Sequence, residues 1–176
     1  ELVKVWSGTA GQTTLSIGTS AGGSQVDTQL TGAAGAAPLS TGANSVAPGT
    51  YYVTETGGLA DYTSTLACTG TSNAAVDAAS DPVMVNPGET VVCTFTNTRK
   101  QGSVELVKVW SGTAGQTTPN IGTSAGGPQG DTQLTGAAGA APLTTGASTV
   151  NTGSYYVTET GGLANYTSTL ACTGAG

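Results

Sequence analysis

Apolar and polar residues alternate along this chain in short runs, and no window keeps a helical apolar period over three turns. Stretches such as "LVKVW", "YYVTET", "YTSTLAC" and "VVCTFTN" repeat every second residue and are separated by clusters of Gly, Pro, Ser, Thr and Asn. That is the pattern of an all-β sandwich made of short strands. The alternation predicts strands at Leu2–Trp6, Thr13–Ile17, Asp27–Leu30, Pro38–Ser40, Thr50–Thr56, Tyr62–Cys68, Pro82–Val85 and Thr90–Asn97. Pro48-Gly49 is a natural turn into the fifth of these, because Pro fixes φ and Gly accepts a positive one. The Gly/Ala-rich "TGAAGAAPLSTGA" predicts a loop with one short edge strand.

The pattern then starts again. Residues 105–176 match residues 1–72 without a gap and differ at 13 of those 72 positions, a tandem repeat with a period of 104. A unit this long is a whole domain rather than a solenoid turn. The expected organisation is a complete sandwich over 1–101 and a second copy over 102–176 that ends before its last strands. Gln101 and Gly102 read as a linker, short enough to make an array of such domains a stiff rod.

Phase along the strands places three polar residues among apolar neighbours. Val104, Leu106, Lys108 and Trp110 share one face, so Lys4, the first copy's equivalent of Lys108, does too. Glu55 shares a face with Tyr51 and Val53, and Asn97 shares one with Val91, Cys93 and Phe95. A lone buried ammonium costs several kcal/mol and tends to give up its proton instead. If the three met in an apolar pocket, Lys4 would be a neutral nucleophile and Glu55 a protonated shuttle. The amine would then displace ammonia from Asn97 and leave a Lys4–Asn97 isopeptide bond. The plainer alternative is a lysine snorkelling from a strand edge, a Lys4–Glu55 salt bridge, and an asparagine bonded to a turn.

The residues "VELVK" (Val104–Lys108), "GTYYVTE" (Gly49–Glu55), Tyr62 seven residues after the glutamate, and "CTFTN" (Cys93–Asn97) resemble the collagen-adhesin B-type and prealbumin-like pilin-repeat domains of cell-surface proteins. The resemblance implies an immunoglobulin-like or prealbumin-like β-sandwich with an intramolecular Lys–Asn isopeptide bond. It makes Lys4 the nucleophile, Asn97 the acceptor and Glu55 the proton shuttle, and in the second copy it reaches Lys108 and Glu159 only. The chain departs from the family at Leu59-Ala60-Asp61, where Pro-x-Gly often precedes the Tyr.

Composition narrows the remaining choices. Ten acidic against four basic residues give a net charge of −6, with no basic stripe for nucleic acid or an anionic membrane. No apolar run reaches membrane-spanning length. With no histidine and no C-x-x-C, neither zinc nor any other metal or cofactor is expected. Cys68 and Cys93 lie in phase with core residues and predict a disulfide in an oxidising, extracytoplasmic setting, while Cys172, the copy of Cys68, lacks its partner. Trp6, Trp110 and the Tyr51-Tyr52 and Tyr155-Tyr156 pairs read as plugs of a thin sandwich, with sugar stacking as the alternative. Asn165-Tyr-Thr is a glycosylation sequon in the second copy alone.

These features favour a structural protein of the cell exterior, a stalk, pilus shaft or fibre, over an enzyme acting on an outside substrate. Its partners would be neighbouring copies of the repeat, with strand complementation for the second copy. A glycan- or protein-binding adhesin module and an ice- or surface-binding repeat using rows of threonine are the competing functions.

Overall fold

The computed structural model describes residues 1–30, 39–125, 131–132 and 143–174. Those residues contain strands and no helix, and they form two compact units, Glu1–Lys100 and Gln101–Gly176.

Unit 1 holds eight strands: β1 (Leu2–Ser7), β2 (Thr14–Gly18), β3 (Asp27–Leu30), β4 (Leu39–Ser40), β5 (Gly49–Thr56), β6 (Tyr62–Cys68), β7 (Val83–Val85) and β8 (Cys93–Arg99). They make two four-stranded sheets, ordered β4-β1-β8-β6 and β3-β2-β5-β7. Every pairing is antiparallel except β1 with β8, where Leu2 faces Cys93 and Ser7 faces Thr98 in a parallel ladder. The first and last strands therefore lie side by side. Leu2, Leu66, Cys93 and Phe95 from one sheet pack with Leu15, Ile17, Val53 and Val83 from the other, so the core fills the space between them. The predicted strands correspond to these within a few residues, except that the last begins at Cys93 rather than Thr90. Within the predicted Pro38–Ser40 strand, Pro38 lies outside the described residues, as does the Gly/Ala stretch before it; Leu39–Ser40 is β4.

Unit 2 holds β9 (Gln101–Val104), β10 (Val107–Lys108), β11 (Thr118–Gly122), β12 (Asp131–Thr132), β13 (Leu143–Thr144), β14 (Ser148–Asn151) and β15 (Tyr156–Thr160). Its ladder β12-β11-β15 corresponds to β3-β2-β5, and β10 with β13 to β1 with β4. Two expectations need correction. Gln101 and Gly102 are not a spacer: they begin β9, which pairs with β14. The face shared by Val104, Leu106, Lys108 and Trp110 is not one strand either, since β9 and β10 are separate and only Val107–Lys108 is paired in the latter.

Sequence alone does not decide these strands. "YTSTLAC" is β6 at Tyr62–Cys68, where β8 pairs with all seven residues, yet Tyr166–Cys172, the same seven letters, forms no strand. Extended backbone needs a partner for its N–H and C=O groups, and no residue of this sequence corresponds to β8 in the second copy.

Candidate functional site

Lys4 stands on β1 and Asn97 on the adjacent β8, in one sheet. The parallel register sets Lys4 opposite Phe95 and Trp6 opposite Asn97, so Asn97 is two residues along the same face from the partner of Lys4. Glu55 comes from β5 in the facing sheet. The alternation that placed these residues inward in the sequence is the one that buries them here.

Burial is complete. Lys4 and Asn97 are each 0% exposed, among the largest fully covered side chains of the described residues. The Glu55 side chain retains 2% exposure. One carboxylate oxygen gathers the site: Glu55 Oε1 lies 2.8 Å from Lys4 Nζ and accepts hydrogen bonds from Thr13 Oγ1 at 2.9 Å and Asn97 Nδ2 at 3.1 Å. The other oxygen, Glu55 Oε2, has no hydrogen-bond partner, and neither has Asn97 Oδ1. Lys4 Nζ also reaches the Phe95 carbonyl at 3.5 Å and sits 4.4 Å from the centre of the Trp6 ring. Burial pulls the Lys4 ammonium below its ordinary pKa, against the opposing hydrogen bond and charge of Glu55.

Trp6 closes the pocket, with Tyr62 packed edge-on at 5.0 Å between ring centres. The Tyr62 hydroxyl donates to the Thr9 carbonyl at 2.9 Å, fixing the loop after β1. Trp6 thus covers the lysine. The sequence reading did not single out Thr13, the third donor on Glu55; its signal was the "GQTT" that precedes β2 and recurs before β11.

The second copy repeats the arrangement without its last member. Lys108 Nζ lies 2.6 Å from Glu159 Oε1, Thr117 Oγ1 donates to that oxygen at 2.7 Å, and Ser168 Oγ donates to Oε2 at 3.4 Å. Trp110 takes the place of Trp6 over Lys108, 4.4 Å from its centre. Here the lysine and glutamate side chains are 16% and 22% exposed, because no strand equivalent to β8 covers them. Beside them is an open groove of about 500 Å³, lined by Leu106, Lys108, Val157, Glu159 and Leu170 among others. Burial pushes the Glu159 carboxyl up, but the Lys108 hydrogen bond, the Thr117 hydroxyl, the Lys108 charge and Ser168 together hold it below its usual range.

Cys68 and Cys93 face each other across β6 and β8 and form a disulfide; Cys172 is exposed and unpaired. Asn165, the sequon residue, is exposed. Among the described residues no cluster of ligating side chains could hold a metal, and no helix is long and apolar enough to cross a membrane.

A two-sheet sandwich whose first and last strands are neighbours, with a lysine, a glutamate and an asparagine buried together between the sheets, defines a class of structural β-module. A family model for the prealbumin-like fold domain matches residues 2–95, and the chain belongs to that family. Domains of this kind are pilin-type structural modules, not enzymes. Neither a curated protein nor a solved structure matches the chain.

Proposed function

We propose that this protein is a tandem-repeat stalk or fibre of the cell exterior, each complete repeat locked by a self-formed isopeptide bond between the positions of Lys4 and Asn97. The observation that carries this reading is the double reach of Glu55 Oε1, 2.8 Å from the would-be nucleophile and 3.1 Å from the amide nitrogen that would leave. Both distances suit direct proton transfer.

The step balances within these three side chains. The buried ammonium passes a proton to the Glu55 carboxylate, which removes two opposite charges from an apolar site. The neutral Lys4 amine attacks Asn97 Cγ. A proton on Glu55 Oε2 would turn one of the two unpartnered oxygens into a donor for the charge that builds on Asn97 Oδ1. Oε1 then relays a proton from the attacking nitrogen to Nδ2; ammonia departs and an amide joins the two strands. The lowered pKa of Lys4 favours the first of these events. Thr13 acts as a positioning residue, holding the carboxylate between the two nitrogens.

In the second copy Lys108 and Glu159 await an acceptor. The groove beside them is where a strand equivalent to β8 would lie, supplied by a continuing chain or by a neighbouring molecule. Surface location is supported by the family and by the disulfide, which persists in oxidising compartments.

Intact mass of the purified 176-residue chain tests the reading. Condensation removes about 17 Da and disulfide formation about 2 Da. One ammonia should be lost, not two, because only the first copy carries all three residues. Lys4→Ala, Glu55→Ala and Asn97→Ala should each restore the missing 17. A parent protein lighter by the disulfide hydrogens alone would end the proposal.

A further inference from the structure

The β9–β14 ladder has a counterpart in unit 1 that lacks its second strand. In unit 2, Gln101–Val104 runs antiparallel to Ser148–Asn151, with Val104 facing Ser148 and Gln101 facing Asn151, and Gln101 Nε2 donates to Asn151 Oδ1 at 3.3 Å. Shifted by one repeat, Ser148–Asn151 becomes Asn44–Ala47. Those residues belong to no strand.

The approach to this edge is the same in both copies. Val107 faces Thr144 as Val3 faces Ser40. Thr145 N donates to the Leu106 carbonyl at 3.0 Å and Leu106 N to Thr145 Oγ1 at 3.1 Å; in unit 1, Thr41 N and Leu2 N make the same two bonds, both at 3.0 Å. From this pin unit 2 continues through a one-residue slip in register, Val107 on Thr144 giving way to Val104 on Ser148, which is a bulge. Unit 1 has the same β1–β4 pairing and the same pin.

Further observations identify what fits there. Asn44 and Val46 turn inward and Ser45 and Ala47 outward, the alternation of a strand that has one covered face. Alongside lies a cavity of about 420 Å³ whose walls include Leu2, Asn44, Val46, Val53 and Val91. The residue opposite Asn44 would occupy the place of Val104, which is half-buried in its own unit. The nitrogen of Glu1 already donates to the Val91 carbonyl at 3.1 Å, the bond a backbone N–H would make were the chain extended.

We infer that Asn44–Ala47 is a docking edge for an extended segment with the chemistry of Gln101–Val104, the stretch that joins one repeat to the next. The joining segment is then a structural strand of the repeat that follows it, and a closed repeat begins four residues ahead of "ELVKVW". This inference stands on backbone pairing and is independent of the isopeptide bond.

The test places Arg-Lys-Gln-Gly-Ser-Val before Glu1 of the full chain and follows amide exchange by NMR. The alternate amides of Asn44–Ala47 whose N–H groups face the added strand should exchange about tenfold or more slowly than in the unextended chain, approaching those of their counterparts in Ser148–Asn151. An extension reading Arg-Lys-Gln-Pro-Pro-Val, which loses two successive backbone donors, should give no such protection. Exchange that stays within about twofold of the unextended chain, or equal protection from the proline version, would overturn the inference.

Discussion

Replacing Lys4 by Met and Glu55 by Gln together separates a covalent tie from a buried ion pair. Both replacements keep roughly the volume of the side chain and remove its charge. Lys4 is 0% exposed and lies 2.8 Å from a carboxylate whose side chain is 2% exposed, so an ion pair here has paid in full for its lost hydration. Exchanging such a pair for neutral groups is typically neutral or stabilising by about 1–4 kcal/mol. A Lys4–Asn97 bond has the opposite consequence. Losing a loop that spans nearly the whole unit costs about 5 kcal/mol in the chain-entropy treatment. At about 4–8 °C per kcal/mol for a domain of this size, the unit 1 transition should fall by roughly 20–40 °C. Trp6 reports on it, being 4.4 Å from the lysine nitrogen, provided Trp110 is changed to Phe to silence the second copy. Thermal and denaturant melts of the double variant against its Trp110→Phe parent are the assay. A double variant as stable as its parent would refute the covalent reasoning, whatever the density of contacts around Lys4.

Two other outcomes follow from the same structure. Replacing both Cys68 and Cys93 by Ala should destabilise unit 1 by about 3–4 kcal/mol, the entropy of the 25-residue separation they close, and a melt would show it without any loss of the ammonia deficit in mass. Glu89 accepts backbone hydrogen bonds from Thr71 at 2.8 Å and Asn86 at 3.1 Å, and these hold its carboxyl below the usual range. Because the folded pKa is depressed, its contribution is present above the ordinary carboxyl value of 4.5 and is lost as pH falls through the folded value. Glu89→Gln should therefore lower Tm at pH 7, with a deficit that shrinks as pH falls below 4.5, and a constant offset across that range would contradict the assignment.

The parts of the site that lie on alternating strands were legible, because period two fixes which residues turn inward. Glu55 in phase with Val53, and Asn97 in phase with Cys93 and Phe95, needed nothing beyond that rule. Thr13 was not legible as a ligand of Glu55, since a threonine at a strand start has many uses and only the facing sheet supplies its partner. Asn73 was missed for a similar reason. It is 0% exposed and ties the loop at Thr69 to Met84 through three hydrogen bonds, all to backbone and none implied by local sequence. The start of β9, Gln101-Gly102, was read as linker because neither residue is apolar and Gly disfavours strands; its strand character comes from pairing with β14. The identical "YTSTLAC" segments show the limit most plainly, since pattern proposes a strand and a neighbouring backbone has to accept it.

Strand β8 ties folding to chemistry at the proposed bond. It brings Asn97 to the lysine, and it also brings Phe95, whose burial helps to exclude water from the pocket. In the second copy, where no strand takes that place, the equivalent lysine and glutamate remain 16% and 22% exposed and solvated. The same event thus removes the hydration that keeps the amine protonated and delivers the amide it would attack, so the proposed bond would form only in a unit whose last strand has docked. Force follows the same path. Tension entering at Glu1 and leaving beyond Arg99 acts on two adjacent parallel strands, which slide past one another with their ladder bonds loaded together rather than opened in turn. A link from Lys4 to Asn97 would carry that load before the ladder yields, and β2 to β7, which lie between them in the chain, would carry none of it. A module so linked would transmit pull without unravelling, the physical requirement on every repeat of the proposed stalk.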